Sequence, residues 1–472
     1  MIPTPTNNWK SRLAAYAEVF RVTWPLALGM ANNAVMQFVD RVFLARESTA
    51  ALEAVLPASM LSLLFVGFAQ TTVAYSGTFV AQYFGAGDRR GCRMSYFSGM
   101  TLAAAFGVVL LLLAPAGNLV FDWVAHSPEV LIREKIYYSV VTAGGFVTCA
   151  MMAASGYFTG MGRTRMVFWV NLLGNALNIA LDPLLIFGFD FSRFGTDFSL
   201  PAMGMAGAAW ATVAAQAVQA LILNAIAMVE IRRERQMEMG RRTAESTTDF
   251  ASLTARILRF GIPSGVQSML NILSFLIFVM LTGKVGDMAF AVSNAAFAVN
   301  YLLIAPMEGV AVAAGVLVGQ RQGAGDPQGA FVAGNRALVI SELYITITSV
   351  LILVFHRPIL MLFAGDAAGV DPEAFCSLGF SLFVMMVAWQ FCDAADVVLS
   401  GALKGAGDTR FVMIWMMIVA FPVWMPPLFA VYILHPTMEA LWMTLIFEVF
   451  VFFIGTAIRW IKGPWRKISL IA

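Results

Sequence analysis

Twelve long apolar segments, separated by short charged breaks, constrain this 472-residue chain more than any other feature. A helix needs about 20 residues to cross the hydrocarbon core of a bilayer, and it satisfies its backbone polar groups internally. Hydrophobic residues make up 60% of the chain and charged residues only 12%, which is too few charges to cover an aqueous surface. The sequence therefore predicts an all-α integral membrane protein with twelve transmembrane helices.

The connections between the segments divide the chain into two halves. We place the spans at 22–45, 54–81, 97–121, 136–160, 166–189, 203–229, 257–283, 289–319, 336–356, 374–403, 411–434 and 437–461. The connections are short except for a polar, basic stretch over 230–256. This predicts an N-lobe over residues 1–229, a cytoplasmic linker over 230–256 and a C-lobe over 257–472. Lys and Arg concentrate in alternate connections, which places both termini in the cytoplasm by the positive-inside rule.

Several classes of function are excluded by what the sequence lacks. The net charge of +2 does not favour a nucleic-acid partner. The four cysteines lie far apart, and the three histidines fall in or near short loops, so neither a disulfide framework nor a zinc site is indicated. No nucleophile, base or metal cluster falls within a span, and no GxxxxGK[ST] motif is present. We therefore expect neither an enzyme nor an ATP-driven pump, and the polar N-terminus predicts no removable signal peptide.

Two motifs occur twice, in the same order in each half. VAQYFGAGDRRG (80–91) aligns with VGQRQGAGDPQG (318–329), and SGYFTGMGRTR (155–165) aligns with SGALKGAGDTR (400–410). The two copies are separated by nearly the same number of residues in both motifs. One such match is no more than a glycine turn, whereas two in order indicate a duplicated chain.

A duplication of six helices gives two halves with the same orientation in the membrane. Such parallel repeats are typical of transporters, which bind substrate near the bilayer midplane at the repeat interface and move by rocking. Pro25 and Pro263 occupy matching positions in the first helix of each half. We predict that the first helix bends at Pro25 during transport.

The ordered motifs resemble the multidrug and toxic compound extrusion (MATE) family. WPLALGMANNAVMQFVDRVFLAR (24–46) is similar to the first helix of that family, and the stretch from GMGRTR to PAMGMAGAAWAT (160–212) is similar to its fourth to sixth helices. LVGQRQGAGD and VVLSGALKGAGDTR are similar to the signatures of the second half. The resemblance implies a V-shaped, two-lobed antiporter without a cofactor. Such a protein exports cationic or amphipathic compounds in exchange for Na⁺ or H⁺.

The resemblance also assigns individual residues. Asp40 matches the acidic residue of the first helix, and Asn178 with Asp182 matches the pair that forms the N-lobe cation site. Asp393 matches the tenth-helix acid of the C-lobe. Many members carry a Glu in the seventh helix, where this chain has Asn271, so a C-lobe site of the Glu/Asp type is not expected here.

The cost of charge in a bilayer singles out the same carboxyl groups without the family. An ionisable group in the hydrocarbon costs about 2.5–3.5 kcal/mol on insertion scales, so it usually marks an ion path. Asn171, Asn175, Asn178 and Asp182 share one face of a helix. Carboxylate and amide oxygens are ligands for hard cations, so we predict a Na⁺ or H⁺ site at Asp182 and Asn178 with Asp40. The alternatives are a polar packing stripe, or an Asp40 at the outer interface.

The second half carries further acids. Asp393 and Asp396 are three residues apart and share a helix face, where a close carboxyl pair favours binding a proton. A solvated notch is the alternative for this pair. Glu308 is a candidate replacement for the missing seventh-helix acid, whereas we expect Glu342 and Glu448 to pair with polar groups of neighbouring helices.

Part of the 38 Phe and 28 Met residues would line a cleft for amphipathic substrates, although most must face lipid or fill the lobes. We name as candidate substrate-cleft residues Gln70, Gln267, Asn271, Trp389 and Gln390.

Two other transporter classes remain open. GAGDRRG (85–91) partly mimics a major-facilitator loop, although the paired GxGxTR motifs argue against that class. A flippase for lipid-linked or amphipathic metabolites belongs to the same superfamily, but it commonly has a strongly basic cavity or fourteen spans. A channel would not need duplicated halves with buried acids. We predict a monomeric multidrug exporter in a bacterial inner membrane, with the bilayer and a small amphipathic or cationic substrate as its partners.

Overall fold

The computed structural model describes residues 9–124, 126–190, 199–238, 249–364 and 371–471. Its α-helices are α1 (Trp9–Glu47), α2 (Thr49–Ala74), α3 (Ser76–Gly85), α4 (Arg89–Ala116), α5 (Asn118–Val124), α6 (Pro128–Ala143), α7 (Gly145–Gly160), α8 (Thr164–Ile186), α9 (Met205–Glu238), α10 (Phe250–Thr282), α11 (Asp287–Gly323), α12 (Pro327–Val354), α13 (His356–Ala364), α14 (Pro372–Ala406), α15 (Thr409–Ile418), α16 (Met425–Leu434) and α17 (Met438–Lys462). A π-helix, Val419–Trp424, joins α15 to α16, and a 3₁₀-helix, Pro464–Lys467, follows α17.

The helices coincide with the twelve predicted spans, which confirms the all-α membrane fold. Five spans are interrupted rather than continuous, and α6 and α7 meet at Gly144 with a bend of 41°. Among the described residues, ten helical segments are long and apolar enough to cross a bilayer, with α2–α3, α4–α5 and α15–α16 each counted as one, and the bent α6–α7 pair makes an eleventh. The helix of the remaining predicted span, α1, carries Asn32, Asn33, Gln37 and Asp40.

A small antiparallel hairpin follows α8, where the sequence predicted only a helix end. β1 (Phe189–Asp190) pairs with β2 (Ser199–Leu200), and Phe189 lies opposite Leu200. Gly188 turns the chain out of the helix with φ +74°, and a Cβ there would lie 2.6 Å from the carbonyl oxygen of Leu200. The close approach of the two backbones explains why the helix ends at Ile186.

The first repeated motif folds into the same turn in both halves. Gly87 and Gly325 have φ of +76° and +73°, a conformation that favours glycine. Asp88 then caps α4 by accepting from the N–H of Gly91 at 2.8 Å, and Asp326 caps α12 in the same way through Gly329 at 2.8 Å. The shared Gly-Asp-x-x-Gly spacing is therefore a helix stop followed by a helix start.

The second motif also repeats its geometry but exchanges its charge. Gly162 and Gly407 have positive φ at the ends of α7 and α14. The next residue is Arg163 in one copy, which pairs with Glu230, and Asp408 in the other, which accepts two hydrogen bonds from Arg459 at 2.7 and 3.2 Å. In each half, an ion pair thus connects this turn to the sixth helix. The turn supplies the cation in the first half and the anion in the second half.

Glycines allow one close helix crossing in each half. A Cβ on Gly77 would lie 2.8 Å from the Cα of Gly156, and one on Gly160 would lie 2.6 Å from the carbonyl oxygen of Gly77. At the matching place in the second half, a Cβ on Gly405 would lie 2.1 Å from the carbonyl oxygen of Gly315. The GxxxG spacing that brings backbones together in membranes is therefore used twice, where α3 crosses α7 and where α11 crosses α14.

The chain forms two compact units. Of the described residues, those within 1–31 and 273–470 belong to one unit, and those within 32–272 belong to the other. The first unit has two buried clusters, one built around Trp424 and Trp442 and the other around Met307 and Trp460. The second unit buries a cluster that includes Leu44, Phe121 and Tyr138. The predicted linker lies partly outside the described residues.

The glycine crossing predicts a specific cost for a single methyl group. We expect Gly77→Ala to lower the free energy of unfolding by about 1–3 kcal/mol, because its Cβ would overlap backbone atoms that have no room to move. Thermal unfolding of the purified protein in detergent measures the change.

Gly67→Ala is the matched control, because its Cβ would meet its nearest neighbour, Leu63, at an ordinary 3.5 Å. This helical control should be neutral or slightly stabilising. Equal melting temperatures for the two variants would contradict the close crossing.

Candidate ion-coupling site

Two carboxyl groups face each other inside the unit that contains residues 32–272. Asp40 comes from α1 and Asp182 from α8, and their side chains lie within hydrogen-bonding reach. Asp182 is fully buried, and neither of its Oδ atoms receives an N–H or O–H donor from the described part of the chain. Because an ionised carboxylate only accepts hydrogen bonds, two of them at this range require a proton or a cation between them.

Asn178 holds the Asp40 carboxyl from one side. With its amide oriented to satisfy both of its groups, Asn178 donates its Nδ2 to Asp40 Oδ1 at 2.9 Å and accepts from the backbone N–H of Thr212 at 3.3 Å. Asn178 is fully buried. The structure thus brings together the three residues that the sequence predicted as one group.

Amide and hydroxyl groups surround this group on neighbouring helices. Asn175 donates to Asn33 at 3.2 Å and accepts from Gln219 at 3.5 Å. The hydroxyl of Tyr137 on α6 hydrogen-bonds Ser59 on α2 and interacts electrostatically with both acids. The predicted polar stripe of α8 therefore belongs to a network that reaches α1, α2, α6 and α9.

The sequence of α8 explains how the stripe becomes buried. Asn175, Asn178 and Asp182 are all at most 3% exposed, whereas Trp169 and Leu173 on another face are 61% and 54% exposed. The apolar side chains therefore face the hydrocarbon, and the polar ones face the helices of the same unit. Asn171, one turn before Asn175, is only partly buried.

A second group of acids lies in the unit that contains residues 273–470. Asp393 and Asp396 share a face of α14 as predicted, and each is partly buried. Asp396 accepts from the hydroxyl of Thr456 on α17 at 2.8 Å, and Ser400 hydrogen-bonds the same carboxyl. Glu448 on α17 is only 6% exposed and interacts electrostatically with both aspartates.

Lys404 is a further member of this group, and it was not among the predicted site residues. It lies in the last turns of α14, and it interacts electrostatically with Asp396 and with Glu308 of α11. Glu308 itself is exposed and also acts on Asp393. The close crossing of α11 and α14 brings these residues together. The spacing of residues within one helix does not predict such a contact between helices.

The predicted substrate-cleft residues lie in different environments. Gln70 is partly buried, Asn271 is exposed, and Gln267 is buried with no donor to its Oε1 among the described residues. Trp389 is packed edge-to-face against Phe297 and Trp442 at 6.2 Å.

Two further predicted residues have clear placements. Gln390 is fully buried and donates to Asn300 at 2.9 Å. Pro25 is buried within the continuous helix α1, and its predicted bend stays a prediction. Among the described residues, no group of three or more His, Cys, Asp and Glu side chains is arranged to hold a metal ion.

The position of Lys404 predicts a pH-dependent loss of stability when its charge is removed. We expect Lys404→Met to lower the free energy of unfolding by about 1–3 kcal/mol at neutral pH, because Glu308 and Asp396 lose their counter-charge. Acidic pH protonates the carboxyls, so the deficit relative to the wild type should shrink as the pH falls. Thermal unfolding over a pH series measures it.

Lys462→Met is the control, since Lys462 is exposed at the end of α17. A loss of stability in Lys404→Met that is the same at every pH of the series would contradict the proposed counter-charge. So would the same loss in Lys462→Met.

Comparison with known proteins identifies the family. The MatE family pattern matches residues 25–184 and 263–429, one stretch in each half. The probable multidrug resistance protein NorM of Thermotoga maritima is 28% identical over 343 residues, which cover 71% of this chain and 69% of that protein. The multidrug resistance protein PmpM of Pseudomonas aeruginosa is 26% identical over 423 residues, which cover 88% of this chain and 83% of that protein.

Solved structures agree on the fold. A MOP superfamily transporter from Pyrococcus furiosus superposes with a TM-score of 0.80 at 18% identity, covering 96% of this chain and 97% of that one. A multidrug resistance MATE family transporter in an outward-facing conformation gives a TM-score of 0.80 at 18% identity, covering 97% and 96%. The resemblance seen in the sequence is confirmed. The chain belongs to the MatE family, the multidrug and toxic compound extrusion proteins, and it is a membrane transporter rather than an enzyme.

Proposed function

We propose that this chain is a secondary active multidrug exporter that exchanges cationic or amphipathic compounds for Na⁺ or H⁺. The observation that carries the proposal is the Asp40–Asn178–Asp182 group, in which Asn178 and Asp182 are fully buried and Asp40 is partly buried, and whose two facing carboxyls require a proton or a cation between them. Relatives named as multidrug resistance proteins, among them NorM of Thermotoga maritima and PmpM of Pseudomonas aeruginosa, support the class of substrate.

The coupling follows from which state binds the ion more tightly. A ligand shifts a conformational equilibrium only by its difference in affinity between the two states. An entering Na⁺ or H⁺ discharges Asp40 and Asp182, and it therefore favours the state that has already released its substrate. Release of the ion on the other side restores the carboxylate charge and the affinity for a cationic substrate. Bending of α1 at Pro25 accompanies the exchange.

The second acidic group has a different part in this mechanism. Asp396 and Glu308 have the ammonium group of Lys404 as a nearby counter-charge, so this group does not depend entirely on a transported ion for compensation. We propose that they bind substrate, or carry a proton, while the Asp40 and Asp182 pair couples the gradient. Gln70, Gln267, Asn271, Trp389 and Gln390 stay candidate substrate-binding residues in this proposal.

The proposed setting is the inner membrane of a bacterium, with both termini in the cytoplasm and the chain acting as a monomer. The bacterial relatives and the distribution of Lys and Arg support this placement. The lobes then comprise residues 1–229 and 257–472, joined by the cytoplasmic linker over 230–256.

The coupling proposal predicts the effect of a single neutral substitution. In everted vesicles, Asp182→Asn should abolish gradient-driven efflux of a fluorescent cationic substrate, because the neutral amide has no titratable proton and no negative charge for an ion to compensate. The amide still hydrogen-bonds Asp40, so the variant should remain folded and inserted. Size-exclusion chromatography and the melting temperature of the purified variant check the fold.

Asp122→Asn is the matched control in the same unit, because Asp122 is half exposed and pairs only with Lys135 at the surface. It should transport at the wild-type rate. Undiminished efflux by a folded Asp182→Asn would eliminate the proposed coupling site.

A further inference from the structure

A cleft of about 680 Å³ lies at one end of the unit that contains residues 32–272, away from the carboxyl groups described above. It is lined by Arg90, Arg93, Met94 and Phe97 of α4, Arg235 of α9 and Phe250 of α10. The volume is in the range of small-ligand sites. Neither the transport mechanism nor the family comparison assigns it a role.

The cleft carries more positive charge than its acidic neighbour balances. Glu234 lies 3.4 Å from Arg93 and 4.0 Å from Arg89. Arg90 and Arg235 make no ion pair within the described part of the chain, and Arg235 lies over the ring of Phe97 at 5.9 Å. Two guanidinium groups therefore face the cleft with their hydrogen bonds available for an anion.

One arginine of the cleft is built into the protein rather than lying on its surface. The side chain of Arg93 is only 8% exposed, and its bond to Glu234 fixes it between α4 and α9. The hydroxyl of Thr254 donates to Ser98 at 2.9 Å, which holds the start of α10 against α4. Three helices thus contribute to the lining of the cleft, and these two side-chain contacts connect α9 and α10 to α4.

The lining changes from charged to apolar along α4. Arg90 and Arg93 lie in the first turns of the helix. Met94 follows Arg93 directly, and Phe97 lies one turn further along, where the predicted membrane span begins. Phe250, 40% exposed, extends the apolar side. A glycerophospholipid has the same order, with its phosphate at the interface and its acyl chains below.

We propose that this cleft binds the phosphate headgroup of an anionic phospholipid, with the glycerol and upper acyl chain against Met94, Phe97 and Phe250. The guanidinium groups of Arg90 and Arg235 bind the phosphate oxygens, and Arg93 supplies further positive charge from the buried wall. Basic pockets between membrane helices recognise anionic headgroups by this chemistry.

Native mass spectrometry of the purified full-length protein tests the proposal. The probes are phosphatidylglycerol and phosphatidylcholine with identical acyl chains. The wild type should bind one phosphatidylglycerol in preference to phosphatidylcholine. The double variant Arg90→Gln/Arg235→Gln should bind phosphatidylglycerol on the order of thirtyfold more weakly, since each arginine near the membrane surface contributes roughly fivefold.

The control is Arg232→Gln/Arg233→Gln, which removes the same charge from exposed positions of α9 that do not line the cleft. It should bind as the wild type does. Equal losses in both double variants would show attraction by net charge alone and overturn the proposal. So would equal binding of the two lipids, or displacement of phosphatidylglycerol by millimolar inorganic phosphate, since the latter would indicate a site for a soluble anion.

Discussion

The free-energy cost of placing a carboxyl group in a low-dielectric interior is the constraint on which the candidate ion-coupling site of Asp40, Asn178 and Asp182 depends. An ionised carboxyl in the hydrocarbon costs about 2.5–3.5 kcal/mol even on insertion scales, and two of them facing each other add their repulsion. Asp40 and Asp182 are placed in that way, with an amide from Asn178 as a donor. Arg41 also acts electrostatically on Asp40. In the proposed mechanism, the proton or cation between the two carboxyls is the transported ion.

The duplicated halves have kept their backbone geometry and diverged in their charges. Both copies of the first motif make the same glycine turn and the same aspartate cap, and both halves cross helices at glycines. By contrast, the ion pair at the second turn is reversed in sign between the halves. The acid groups differ as well: amides and hydroxyls surround the first, where Arg41 acts electrostatically on Asp40, whereas Lys404 lies near Asp396 and Glu308 in the second. Backbone packing therefore constrains both halves in the same way, whereas the charged residues differ between the halves.

The sequence predicted those features that depend on local chemistry. Apolar segments long enough for a bilayer predicted the twelve helical segments. The spacing of Asn175, Asn178 and Asp182 predicted a shared helix face, and the structure confirms that these side chains are buried together. Asp40 was assigned to this group through the family resemblance and the cost of charge in a bilayer. The residues next to Asp40 in the sequence do not predict that its partner is Asp182, 142 residues away.

What the sequence did not predict depends on contacts between distant helices. Lys404 was not among the predicted site residues, because it is two residues from the end of its helix and only the crossing of α11 and α14 places it near Glu308. Trp389 was a candidate for the cleft, but its ring packs against Phe297 and Trp442 from two other helices. The 3.6-residue period identifies which side of a helix is polar, and it carries no information on which helix will cover that side.

The most direct test of the account is release of the coupling ion from purified protein in proteoliposomes when substrate is added, with and without Na⁺. Addition of substrate should release either H⁺ or Na⁺ from the wild type. The Asp182→Asn variant should bind substrate without releasing either ion. Substrate binding by the wild type with no release of either ion would contradict it.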